Sequence, residues 1–210
     1  MEQLLDLWLP VLVSAVVVFI ASFLAWMVLP HHTADVRKLP DEPGFTTHLR
    51  GLDLKPGTYM WPNCEDAAEM RSADYKQRYQ DGPWGSMIVT DKPNFGRNLG
   101  VTFLFYVVVG IVVAYLTSEA RAPGEAFLPV FQVASTVAVI AYCFGGLPHA
   151  IFFGRPLRFI ITETIDGLVY GLITGLIFAL MWPGASIETP AVPLSLHEVW
   201  TESTVFMTQI

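Results

Sequence analysis

The chain reads as an all-α membrane protein, four transmembrane helices with a small α/β cap between the first and the second. Three observations predict this. Four apolar runs stand out: Leu7 to Leu29, Leu99 to Leu116, Ala126 to Leu147 and Phe159 to Trp182. Each is long enough to approach the roughly 20 residues that a helix needs to cross a hydrocarbon layer about 30 Å thick. Hydrophobic side chains make up 53% of the 210 residues, more than the roughly 45–50% of a soluble domain, where that figure already counts glycine. The lysines and arginines, finally, crowd into two of the segments between the runs. The net charge of −7 argues against nucleic acid, which needs a basic face. No block of Lys and Arg is present to grip acidic headgroups either.

The first run, with its short leader, occupies residues 1–29. Its leader MEQLLDLW lacks positive charge, and the apolar stretch ends in Trp26-Met27-Val28-Leu29-Pro30 rather than at a small-x-small site. It therefore reads as a retained anchor rather than a cleaved signal.

Residues 30–98 read as the cap. Asp41-Glu42-Pro43 is a helix start, with Phe45, Leu49 and Leu52 on one face. Lys55-Pro56-Gly57 is a turn, and Thr58 to Trp61 a short strand closed by Pro62. Asn63 is placed to cap a helix running to about Gln80, with Glu65, Asp66 and Glu69 where the helix dipole favours negative charge. Asp81-Gly82-Pro83 stops it, and Trp84 to Thr90 is a second strand. About 60 residues bury little core of their own, so the cap is expected to pack on the ends of the spans.

Residues 99–182 carry the remaining spans, over 99–116, 126–147 and 159–182. Gly145-Gly146-Leu147-Pro148 gives the third a sharp exit, and Pro156 suits the first turn of the fourth. Residues 183–210 form an acidic tail.

Orientation follows from the basic residues. Nine lie in segment 30–98 (Arg37, Lys38, Arg50, Lys55, Arg71, Lys76, Arg78, Lys92, Arg97), and Arg155 and Arg158 lie between spans three and four. Only Arg121 lies on the opposite side. Basic loops stay in the cytoplasm, which puts both termini and the tail outside it. Trp8, Tyr115 and Trp182 then sit near outer span ends and Trp26 near an inner one, as interfacial anchors do.

Glu163 and Asp166 are the leading ion or ligand candidates, because they lie three apart within the fourth run and share a helix face. A charge at mid-bilayer costs at least about 2.5–3.5 kcal/mol and so marks function. The structural reading is that both lie near the cytoplasmic interface and pair with Arg155, Arg158 or Arg97. His31, His32 and His149 come to the same face and are the metal candidates, since imidazole with carboxylate suits transition metals. Their spacing matches no metal motif, and adjacent histidines on a regular element point apart. Gly167, Gly171 and Gly175 repeat every four residues, a smooth stripe for close helix packing against a neighbouring span or a second copy of the chain. Cys64 and Cys143 make no disulfide framework. No Walker loop, Rossmann fingerprint, nucleophile elbow or haem-attachment motif is present, so nothing points to an enzyme or names a cofactor.

The motifs Leu29-Pro30-His31-His32, Gly82-Pro83-Trp84-Gly85, Gly96-Arg97-Asn98 and Phe153-Gly154-Arg155-Pro156 resemble those of an uncharacterised family of small bacterial integral-membrane proteins. The resemblance implies a bacterial inner-membrane location and supplies no activity. The function the sequence favours is a structural or accessory subunit that docks to a larger membrane complex or self-associates through span four. Permeation of protons, ions or small molecules past Glu163 and Asp166 is one alternative. A metal or cofactor site at the cytoplasmic helix ends is the other.

Overall fold

Four of the helices are long and apolar enough to cross a membrane: Trp8–Val28, Phe95–Ala120, Phe127–Phe152 and Leu157–Leu180. They belong to a computed structural model that describes residues 6–184. The leader 1–5 and nearly all of the acidic tail lie outside the described residues. The chain is thus a multi-pass membrane protein.

The first span is α1 (Trp8–Phe23) continued by a π-helical turn, Leu24–Val28, whose wider loop is closed by the Leu29 N–H on the Leu24 carbonyl at 2.9 Å. A 3₁₀ turn, Pro30–His32, follows. The cap comprises α2 (Glu42–Gly51), β1 (Gly57–Trp61), α3 (Ala67–Arg71), α4 (Ala73–Asp81) and β2 (Gly85–Val89). The second span is α5 (Phe95–Ala120). The third is α6 (Phe127–Val139), a second π-helical turn at Ile140–Phe144, and the short α7 (Leu147–Phe152). The fourth is α8 (Leu157–Leu180).

Connections follow local chemistry. Asp41 caps α2 by accepting the Gly44 N–H at 3.0 Å, as its position predicts. The single helix expected after Asn63 is instead two. Asp66 caps α3 through the N–H groups of Ala68 and Glu69, and Ser72 caps α4 through that of Tyr75. Asn63 accepts only from Cys64. The break falls at Ser72, whose backbone is extended (ψ 153°) and whose hydroxyl competes for a backbone donor. β1 and β2 pair antiparallel with Tyr59 opposite Met87. The cap was also expected to pack against the span ends. From α2 to β2, however, no residue is buried, so the cap holds together by its ladder, its caps and the ion pairs of Arg78 with Glu69 and Asp74.

The bundle packs α1 on α5 and α8, and α6 on α5 and α8. Small residues line much of the interior, with Ala15, Ala114, Ala134 and Ala138 buried beside larger Val113, Val130 and Phe178, while the large Leu104, Val108, Ile111 and Leu168 are exposed. That distribution follows from the solvent. Lipid is as apolar as leucine, so close backbone approach rather than hydrophobic burial joins the helices. The glycine stripe of α8 makes the closest approach. A Cβ at Gly171 would stand 2.4 Å from Val139 Cγ2 and 2.8 Å from its backbone nitrogen, and one at Gly175 would strike Ser135 Oγ. The face these glycines form is covered by the third span of the same chain. Trp182, expected as an interfacial anchor, is buried (3% exposed) and donates its indole N–H to the Ala122 carbonyl at 2.9 Å. It closes the end of the bundle away from the cap. Trp8 and Tyr115 are exposed.

Candidate functional site

At the cap end of the bundle a charged cluster is assembled from α8 and from the turn that leaves α1. Asp166 is buried on α8. About sixteen residues separate it from Trp182, close to 24 Å at 1.5 Å per residue. It lies inside the fourth membrane-spanning helix, Leu157–Leu180, where an isolated charge is costly. Its partners resolve that cost. His31 Nε2 donates to Asp166 Oδ1 at 3.0 Å, and His32 Nε2 donates to Oδ2 at 2.8 Å.

Adjacent histidines were expected to diverge. They converge here because Pro30–His32 is a 3₁₀ turn, preceded by Leu29 in an extended conformation (ψ 140°). This tight irregular turn breaks the alternation that a strand imposes and brings both rings over the same carboxylate, 4.3 Å apart.

His32 is the centre of the cluster. Its Nδ1 donates to Asp35 Oδ2 at 2.7 Å, and its ring stacks on the indole of Trp26 at 3.8 Å and 7°. A carboxylate can only accept, so a ring held between two carboxylates is an imidazolium, and its contact with indole is a cation–π contact. Burial pulls the His32 pKa down, but hydrogen bonding and charge from Asp166 and Asp35 outweigh this and raise it above the ordinary imidazole range. Burial likewise pushes Asp35 up, and is outweighed by His32, Thr162 and the Arg158 guanidinium, which hold its carboxyl below the ordinary range. Arg158 forms an ion pair with Asp35 and donates to the His31 carbonyl at 2.9 Å. It thereby ties the start of α8 to the turn after α1.

The other sequence candidates divide. Glu163 does not join Asp166 in the cluster. It is half-exposed and paired loosely with Arg155 at 3.7 Å, while Arg155 also covers the Phe159 ring. Arg97 lies outside the cluster, its backbone N–H capped by Asn94. His149 is exposed and packs on Phe153, apart from the other two histidines.

Three contributors were missed by sequence reading. Asp35 carried a signal, since it follows His32 by three residues and so returns to it on any helical turn. Tyr170, four residues after Asp166, reaches Asp166 Oδ2 at 3.5 Å. Trp26 reads from sequence as an interfacial anchor, and nothing in its spacing marks it as a ring partner.

Among the described residues, His31, His32 and Asp166 form a group able to hold a metal ion, with one ligand atom from each lying within 4.8 Å of the others. Beside it is a pocket of about 290 Å³, reaching Asp166 and lined from all four spans. Both π-helical turns border it, through Trp26 and through Tyr142 and Cys143. Such turns recur at functional sites, because the inserted residue re-aims side chains. No protein-family model, curated protein or solved structure matches the chain.

Proposed function

We propose that this chain is a bacterial inner-membrane protein that binds one divalent transition metal through His31, His32 and Asp166, at the cytoplasmic end of its bundle. The observation that carries the reading is the convergence of two imidazole nitrogens on one buried carboxylate, with a second carboxylate on the outer nitrogen of His32. Two histidines with one carboxylate, leaving positions open, suit zinc or non-haem iron(II). The two contacts run to opposite oxygens of Asp166, at 3.0 and 2.8 Å, and one donor atom from each residue lies within 4.8 Å of the others, close enough for small side-chain turns to bring all three onto one ion. Asp35 fits the outer carboxylate that fixes the tautomer and orientation of a ligating histidine. A metal so held supplies Lewis acidity, or redox chemistry if it is iron. The chain's own residues bind it, orient it and exclude lipid.

The accessory-subunit reading draws on the glycine stripe, and that stripe supports packing within the chain. Permeation has little to support it, because between the level of Asp166 and Glu119, at the far end of the second span, the spans carry no acid or base. Protein purified in mild detergent without chelator should contain about one zinc or iron per chain by elemental analysis. Asp166→Asn and His32→Ala should each lower the content at least tenfold, with His149→Ala unchanged. A metal-free wild type, or equal content in all four proteins, overturns the proposal.

A further inference from the structure

We infer that the pocket beside Asp166 is a binding site for a neutral, ring-bearing, lipid-soluble molecule, a phenol or quinone whose tail remains in the bilayer. The inference goes beyond the metal reading and shares with it only Asp166. Its first support is the wall. Tyr106, Tyr142 and Tyr170, from three different spans, form an edge-to-face triad with centroids 6.0, 6.1 and 6.4 Å apart. Phe105 extends it at 6.2 Å from Tyr142. Aromatic rings prefer such offset and edge-on neighbours, so a flat ring is the guest this wall stabilises best.

Charge is the second support. No lysine or arginine lines the pocket, and its two ionisable acids are Glu163 and Asp166, so an anionic head finds repulsion and no counter-ion. A cationic head finds both carboxylates engaged, Asp166 by two histidines and Glu163 by Arg155. A neutral ring bearing oxygen avoids both penalties and meets the Tyr170 hydroxyl beside Asp166.

Size is the third. A cavity of about 150 Å³ holds one benzene, so 290 Å³ holds a substituted single ring but not a fused polycycle with its tail. The rim residues Phe105, Glu163 and Thr164 are exposed on membrane-spanning helices. That leaves a tail free to lie in lipid.

The test uses the full chain in lipid nanodiscs, with a tritiated decyl-benzoquinone as probe and empty discs as the partition control. Saturable excess binding of about one probe per protein is expected. Oleate and dodecyl-trimethylammonium at equal concentration should not displace it. A Cβ at Gly146 meets nothing within 4 Å, so Gly146→Phe should fill the pocket and raise the probe Kd at least tenfold while metal content stays at the wild-type level. Should that variant misfold, Thr164→Trp at the rim is expected to weaken binding similarly. Absence of saturable excess in metal-loaded wild type overturns the pocket proposal alone. So do unchanged affinity in a folded pocket-filling variant and displacement by the ammonium. A wild type that binds probe but no metal retains the pocket and removes the metal reading.

Discussion

His32 carries more of the account than any other residue, because each ring nitrogen meets a carboxylate and its face meets an indole. The metal-free protein should register this as a pH window. A histidine whose pKa is raised on folding contributes stability that is full below its ordinary value of about 6.5, and that stability is lost as pH rises through the folded value. Asp35, whose pKa is lowered, contributes stability present above its ordinary value of about 3.9 and lost as pH falls through the folded one. The Tm of chelated protein is therefore expected to be highest between these limits. His32→Phe, which keeps a ring for Trp26, should flatten the alkaline decline, and Asp35→Asn the acid one. Profiles parallel to wild type in both variants would show that the pairs contribute nothing. At this scale the sequence was half legible. Histidines and acids could be listed as candidates, but Asp166 is 134 positions from His32, and no local spacing links residues that far apart. The alternation rule that separates neighbouring side chains holds for regular strands, and a 3₁₀ turn is neither regular nor long.

Among the elements, the four spans were legible almost to their ends, since a run of apolar residues is the one pattern a bilayer demands. The stripe Gly167, Gly171 and Gly175 was legible as a packing face, though not its partner. That partner proves to be α6, approached so closely that Val139 leaves no room for a side chain at Gly171. Gly171→Val should lower stability by about 1–3 kcal/mol, the usual cost of overpacking, read as a fall in Tm in detergent. Gly100→Ala, where a Cβ meets nothing within 4 Å, should leave Tm unchanged. Equal Tm in both variants would contradict the close α6–α8 contact. The two π-helical turns were not legible, because five-residue hydrogen bonding leaves no compositional mark in an apolar run. The single helix expected over 64–80 failed for a local reason: Ser72 offers its hydroxyl as a cap, and two short capped helices satisfy more backbone donors than a run of polar residues bent around one.

For the whole molecule, the cluster of His31, His32, Asp35, Arg158 and Asp166 stands at the end of the bundle that joins the cap, and Trp182 with the loop it closes stands at the opposite end. In the proposed orientation the charged end faces the cytoplasm, the side on which basic loops collect. Membrane-impermeant thiol reagent applied to intact cells should spare Tyr75→Cys in a background lacking Cys64 and Cys143, and should label it after permeabilisation. Labelling from outside would invert the map and move the site to the other face. If His31, His32 and Asp166 act as one set of ligands, cobalt titration of chelated protein will show it. One equivalent of Co(II) should bind with a saturating visible d–d spectrum that Asp166→Asn abolishes and His149→Ala preserves. A featureless titration, or a spectrum unchanged by Asp166→Asn, would contradict it.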